Sequence, residues 1–302
     1  MKKIAKDCLP ELLQKIAEAY EVQAPVNKGG KTNFAVWQPG DAVDLTALKT
    51  AVPAKSVLFP QNEALLQFKQ QGKKLSIETV GGKTDEYVLF GVRACDVKSF
   101  ALLDKVFLSE PVDQFYASRR ELGTVVAVAC REPEEACFCR AFDLDADAPA
   151  GADVCVWDMG EELYWQAQTD KGARLSARLD GLLQEAANEE AVQALRAEIR
   201  AKLDELPLAA LVAAKKPQAL QDLFDDANWQ ACSEACLGCG TCTYVCPTCH
   251  CYDIQDYDTG AGTERSRCWD SCMFSDFTQM AHGNPRKTQK ERFRQRFMHK
   301  LV

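Results

Sequence analysis

Hydrophobic positions along the chain fall into blocks whose spacing changes from one segment to the next. Near the N-terminus Leu9, Leu12, Leu13 and Ile16 recur at three- and four-residue intervals. Glu11, Gln14, Lys15 and Glu18 lie between them, which predicts an amphipathic helix over about 8–20 and denies the segment the apolar core of a signal peptide. Gly29 and Gly30 break this pattern, and NFAVWQ continues as an extended stretch. KSVLFP (55–60) reads as a short strand, and NEALLQFKQQG after it as a helix. In YVLFGVRACDVKSFALLDKVFLS (87–109) an apolar strand stops at Gly91, and a tight loop carries Arg93, Ala94, Cys95 and Asp96. A helix that buries Phe100, Leu103 and Phe107 comes next.

TVVAVACREP repeats the strand-then-loop pattern and ends its strand on Cys130. ADVCVWDMGEELYWQAQT reads as two strands around a turn at Met159 and Gly160. Strands that deliver cysteines at their C-terminal ends suggest an α/β layer, where sites gather. From 182 to 203, leucine and isoleucine at helical spacing predict a long helix that links domains or packs on a partner, and Pro207 and Pro217 interrupt the next stretch. The expected organisation is an α/β or α+β domain over 1–180, a helical linker over 181–219 and a mainly helical, cysteine-rich domain over 220–302.

Composition narrows the function classes. The 302 residues carry 44 acidic against 36 basic side chains, a formal charge of -8, which disfavours a nucleic-acid binder. NPRKTQKERFRQRFMHK at the C-terminus is a local exception, a basic helix with Phe293, Phe297 and Leu301 at helical spacing. It reads as a stripe that docks on a partner, or as a charged face folded back on its own domain. No apolar run reaches the length of a membrane span.

Cysteine usage changes the picture most. Of 15 cysteines, nine lie between 232 and 272 and three more between 130 and 139. A disulfide scaffold belongs to short secreted chains with poor cores, so ligation by reduced thiolates in the cytoplasm is the better reading. Cys236, Cys239, Cys242 and Cys246, followed by Pro247, have the CxxCxxCxxxCP spacing of bacterial ferredoxins. Three close thiolates grip three corners of a [4Fe-4S] cubane, and the fourth belongs to another cluster. The C-terminal domain is therefore expected to be ferredoxin-like. Its ferredoxin block is not repeated; instead Cys249, Cys251, Cys268 and Cys272 are available. Cys272 or Cys268 would complete the first set, and Cys246 would join Cys249, Cys251 and the other of that pair in a second. Cys232, one turn before Cys236, fits a ligand, cap or core role.

Cys95, Cys130, Cys137 and Cys139 form another candidate set in the first domain, able to hold one [4Fe-4S] cluster or a zinc ion. Arg93 and Arg131 flank it, either as charges beside a cluster or as partners of Asp96 and Glu132. Cys8 and Cys155 read as structural. The total expectation is two to three [4Fe-4S] clusters.

GVRACDVKSFALLDKVF, CREPEEACFCRAFD, CGTCTYVCPTCHCYD and RCWDSCMFSDFTQMAHGNPRKTQKERFRQRFMHK together resemble the family of sulfhydrogenase beta subunits and the related iron–sulfur subunits of anaerobic sulfite reductases. Similar subunits occur in flavin oxidoreductase modules coupled to heterodisulfide reductase. The resemblance spans roughly 85–300 and includes Trp269, Asp270, Cys272, Phe277, His282, Arg286 and His299. It implies an iron–sulfur electron-transfer subunit between a flavoprotein (FAD, NAD(P)H-linked) and a terminal redox subunit such as a hydrogenase, a sulfite reductase or a heterodisulfide reductase, hence a hetero-oligomer. Many relatives carry a further CxxCGxCxxxCP block beyond the position of Lys300, where this sequence stops at Val302. Either Cys249, Cys251, Cys268 and Cys272 compensate, or a partner supplies that cluster.

The sequence has no GxGxxG or Walker A motif, and its three histidines, His250, His282 and His299, form no nucleophilic constellation. One-electron transfer is therefore expected in place of bond-making catalysis. Tyr244, His250, Trp269 and Phe274 are candidates to shield clusters from water. The rival readings are a zinc-binding structural or interaction subunit, and a catalytic subunit with a cluster open to substrate.

Overall fold

The computed structural model describes residues 1–83, 85–186, 189–209, 222–260 and 262–301. The chain divides into two compact units, Met1–Phe59 with Gly82–Ala210, and Pro60–Gly81 with Leu211–Val302.

The first unit begins with β1 (Lys2–Ala5), α1 (Leu9–Ala17), β2 (Glu21–Lys28), β3 (Lys31–Val36), β4 (Ala42–Val43) and α2 (Lys55–Leu58). After the chain has contributed β5 (Asn62–Gln71) and β6 (Lys74–Thr79) to the second unit, it returns as β7 (Tyr87–Val92), α3 (Ala94–Phe107), α4 (Gln114–Leu122) and β8 (Gly123–Val128). It ends with β9 (Val154–Asp158), β10 (Glu162–Ala167), α5 (Asp170–Arg178), β11 (Gln184–Glu185) and α6 (Glu189–Asp204). One mixed sheet runs β11-β1-β10-β9-β8-β7-β2-β3, with β4 paired to β2. Its centre, β2, β7, β8 and β9, is parallel, and its flanks are antiparallel.

The central strands explain their own sequences. β7 and β8 are buried at every position, as their unbroken apolar runs require when both faces are covered. Gly91 has φ +84 and opens a register shift between Phe90 and Val92; a Cβ there would stand 2.9 Å from Pro25 Cδ on neighbouring β2. The face of α1 carrying Leu9, Leu12, Leu13 and Ile16 joins the core, as its spacing predicts. The α3 face carrying Phe100, Leu103 and Phe107 is likewise buried.

Four expectations are corrected. KSVLFP is a single helical turn, α2, because a short apolar run has too little length to establish a period. NEALLQFKQQG is strand β5; its helix-forming side chains are overridden by pairing with β6 and a C-terminal strand. The helix expected over 182–203 starts at Glu189 and belongs to the first unit. Val192, Leu195, Ile199 and Leu203 are buried, and Asp147, 1% exposed, accepts from Arg196 Nε at 2.9 Å and Arg200 Nη2 at 2.8 Å. The rest of the expected linker, 210–219, lies outside the described residues.

The fourth correction concerns the second unit, which is not mainly helical. Its centre is a four-stranded antiparallel sheet, β12 (Tyr252–Asp258), β13 (Thr263–Trp269), β5 and β6 in that order. Among the described residues its helices are α7 (Asn228–Ser233), α8 (Thr241–Tyr244) and α9 (Gln289–Leu301). The hairpin β12–β13 and the upstream hairpin β5–β6 supply strand pairing that a reading centred on cysteine spacing passes over. No helix among the described residues is long and apolar enough to cross a membrane.

Glu63 of β5 and Arg267 of β13 form an ion pair at 2.6 Å, each side chain 3% exposed. Removing one partner of a buried pair costs about 3–5 kcal/mol, whereas replacing both by apolar groups is nearly neutral. Arg267→Met should therefore lower the urea midpoint of this unit sharply, and Glu63→Leu/Arg267→Met should recover most of the loss. Equal midpoints for the single variant and the wild type would remove the pair from the account of stability.

Candidate functional site

In the first unit, topology brings the candidate cysteines together. β7 and β8 are adjacent and parallel, so their C-terminal ends lie side by side. Cys95 follows β7 at the second residue of α3, and Cys130 lies two residues past β8. The loop 131–138 returns Cys137, whose Sγ accepts the Glu134 N–H at 3.3 Å, and Cys139 opens a 3-10 turn. Cys95 keeps an exposed edge, yet the protein packed around its thiol raises it, and nearby Asp96, Cys130 and Cys139 raise it further. Cys130 is raised by burial and by Cys137, against the pull of Arg93 and the Ala94 N–H. Cys139 is pushed up to about 11 by burial, Cys130 and Cys137. These couplings form one neighbourhood of four sulfurs.

Neither flanking guanidinium forms the ion pair considered from sequence, although the Arg93 backbone N–H donates to Asp96 Oδ2 at 3.2 Å. Arg93, 5% exposed, donates to the carbonyl oxygens of Ala129 at 3.1 Å and of Leu45. Arg131 reaches Asp158 O at 3.3 Å, while Glu132 pairs with Lys202 at 2.8 Å. Cys155 is buried and donates to Pro149 O at 3.4 Å, in keeping with a structural thiol.

In the second unit, the ferredoxin-spaced loop wraps through two left-handed glycines, Gly238 at φ +67 and Gly240 at φ +74. Gly240 also sits against Phe274, whose Cζ would lie 2.6 Å from an added Cβ. Thr243 Oγ1 donates to Gly240 O at 2.6 Å and meets Ser271 Oγ at 2.8 Å, and Tyr244 OH donates to Trp269 O at 3.0 Å. These bonds tie the cysteine loop to the segment carrying Cys272. Gly240→Ala should destabilise this unit by on the order of 1–3 kcal/mol through the strained φ alone. Thermal unfolding of the second unit tests this, and an unchanged midpoint would refute the strain at Gly240.

The later cysteines sort into pairs. The Cys249 thiol bonds to the Cys246 sulfur, holding Cys246 well below its usual range, with Lys300 helping and burial opposing. Cys272 does the same for Cys251, which is lowered to about 7. The donors move upward, Cys272 also feeling Cys249. Cys246, Cys249, Cys272 and Cys251 thus make a linked series. Cys251 and Cys272 line a cavity of about 420 Å³ with His250, His299 and Arg286. Cys268 goes elsewhere: it lies on β13, donates to Asn62 Oδ1 at 3.4 Å and meets Tyr257 OH at 3.6 Å. Cys232 is exposed on α7. Among the described residues no three His, Cys, Asp or Glu side chains converge as the ligands of a single metal ion do.

The basic tail folds onto this loop. Thr288 and Glu291 cap α9 reciprocally: Thr288 N donates to Glu291 Oε2 at 2.8 Å and Glu291 N to Thr288 Oγ1 at 3.4 Å. One stripe, Phe293 and Phe297, packs on Trp229 of α7 at centroid distances of 6.4 and 6.0 Å. Another stripe faces sulfur. Gln289 Nε2 donates to Cys236 Sγ at 3.3 Å, Arg296 Nε to Cys242 Sγ at 2.9 Å and Lys300 Nζ to Cys249 Sγ at 3.4 Å. The sequence assigns Arg296 and Lys300 to charge or partner docking and gives Gln289 no role; their near two- and three-turn spacing is the available signal.

The donor set suits iron–sulfur ligation: soft thiols, a glycine loop and N–H donors aimed at sulfur. A family described as the 4Fe-4S dicluster domain matches residues 235–302. The chain is 30% identical over 301 residues to "Sulfhydrogenase 2 subunit beta" of Pyrococcus furiosus, covering 98% of this chain and 86% of that protein. No solved structure matches.

Proposed function

Because the chain belongs to the sulfhydrogenase beta-subunit family, we propose that it relays single electrons between a flavin- and NAD(P)H-linked partner and a terminal redox subunit within a hetero-oligomeric, cytoplasmic complex. The observation that carries this reading is the alignment of side-chain donors on cysteine sulfurs within the region matched as a 4Fe-4S dicluster domain. When bound, a [4Fe-4S] cubane supplies reversible one-electron exchange with little change in shape.

In this reading Cys236, Cys239 and Cys242 hold three corners of one cubane. Cys246, Cys249, Cys251 and Cys272 hold a second, and the neighbourhood of four thiols favours it. Cys268, bonded at Asn62 and Tyr257, is left out of both sets, which puts the fourth ligand of the first cubane outside residues 236–272. Cys95, Cys130, Cys137 and Cys139 hold a third. Burial and mutual repulsion raise three of those four thiols, so ionising them together calls for a cationic centre such as ligated iron.

The chain's own residues bind, insulate and orient. Trp269 and Met273 are buried beside the C-terminal cysteines and keep water away. Leu237, 93% exposed between Cys236 and Gly238, offers an apolar contact at the edge of the first set, where a redox partner must approach. Iron and acid-labile sulfide analysis of anaerobically purified protein, with low-temperature EPR of the reduced form, tests the reading. About 12 iron atoms per chain are expected for three cubanes. A colourless protein holding zinc would overturn it.

A further inference from the structure

We infer that α9 is an electrostatic rail shared by both C-terminal ligand sets, and that Arg296 is the charge they have in common, raising the midpoint potential of each. This rests on the cluster reading above. The guanidinium grips Cys242 twice, Nε to Sγ at 2.9 Å and Nη2 to the carbonyl oxygen at 2.7 Å. Cys242 is the last thiol of the first set, and Cys246 and Cys249 begin the second. Arg296 interacts electrostatically with all three sulfurs. It is half-buried, so its charge is less screened than on an open surface.

Lys300 extends the rail. Its ammonium bonds Thr248 Oγ1 at 2.7 Å and Cys249 Sγ at 3.4 Å, and its charge also reaches Cys246 and Cys251. Gln289 contributes a neutral donor to Cys236 at the opposite end. The three positions fall on one stripe because separations of seven and eleven residues are close to two and three turns. Hydrogen bonds to cluster sulfurs and nearby positive charge favour the state holding the extra electron. A cation between two sets does so for both.

The other cations of this helix separate position from mere charge. The Arg294 guanidinium lies 3.7 Å from the centroid of Phe224 and donates to Phe224 O at 3.0 Å, so it is engaged away from the sulfurs. Arg294→Gln is thus the control for bulk charge.

EPR-monitored redox titration of the full chain tests the rail. In Arg296→Gln both C-terminal signals should move to lower potential, with the reduced-to-oxidised ratio at fixed potential falling on the order of tenfold, about 59 mV for a one-electron couple. Arg296→Lys should move them less, Lys300→Gln should move only the second set, and Arg294→Gln should leave both in place. Unmoved signals in Arg296→Gln, or equal shifts in Arg294→Gln, would overturn the inference. If Arg296→Gln assembles no clusters, Lys300→Gln decides, and an unmoved second-set signal there overturns the rail. Absence of iron and sulfide from the wild type would instead overturn the cluster reading itself.

Discussion

Cys242→Ala should leave the protein with about four fewer iron atoms per chain and without one of its reduced EPR signals. Cys242 is both a corner of the ferredoxin-spaced loop and the acceptor of two bonds from Arg296, so its loss removes a ligand and leaves a half-buried guanidinium without its thiolate. The discriminating partner is Cys268→Ala. Spacing alone offers Cys268 as a ligand, but its sulfur bonds Asn62 and Tyr257. Iron content in that variant should match the wild type. Full iron in Cys242→Ala, or lost iron in Cys268→Ala, would reverse the assignment.

The second large effect concerns the first unit. Cys137→Ala should remove about four iron atoms and one signal while leaving the C-terminal signals unchanged. Cys155→Ala, at a buried thiol bonded to Pro149 O, should leave the iron count untouched. A wild-type count near eight iron atoms, with Cys137→Ala having no effect, would reduce Cys95, Cys130, Cys137 and Cys139 to structural thiols. A fall of one zinc per chain would instead make them a zinc site.

The sequence was most legible where one local rule acts alone. α1 and the strand–loop–helix around Cys95 follow from periodicity because their apolar faces are buried within the same unit. The paired strands β9 and β10 turn at the expected Met159–Gly160. Legibility failed where distant chain decided the outcome. β5 is rich in Glu, Leu, Gln and Lys, yet pairing with β13 from near the C-terminus makes it a strand. Alternating Tyr252 and Ile254 and the Gly-rich stretch after Asp258 were available as hairpin signals, but cysteine spacing dominated the reading.

The same division holds at the candidate site. Cysteine spacing exposes a ferredoxin loop, because closely spaced thiols and glycines are a local device. Which of Cys268 and Cys272 faces the other thiols depends on strand pairing: Cys268 sits opposite Asp253 in the β12–β13 ladder, whereas Cys272 lies past its end. Arg296 and Lys300 appear in the sequence only as members of a basic helix. Their meaning depends on how α7 seats Phe293 and Phe297, which turns the other stripe toward sulfur.

The contribution of β5 and β6 to the second unit has a consequence during synthesis. β5 leaves the ribosome about 200 residues before its partner β13 is complete. At roughly 5–20 residues per second, this leaves the early hairpin waiting about 10–40 s for its neighbour, with one edge unpaired and Leu75 and Ile77 exposed. A nascent chain halted before Trp269 would therefore be a target for strand-binding chaperones, and the C-terminal segment expressed alone would lack β5, one of the two inner strands of its sheet. The sheet of the second unit is thus complete only after the earliest and latest of its strands have met.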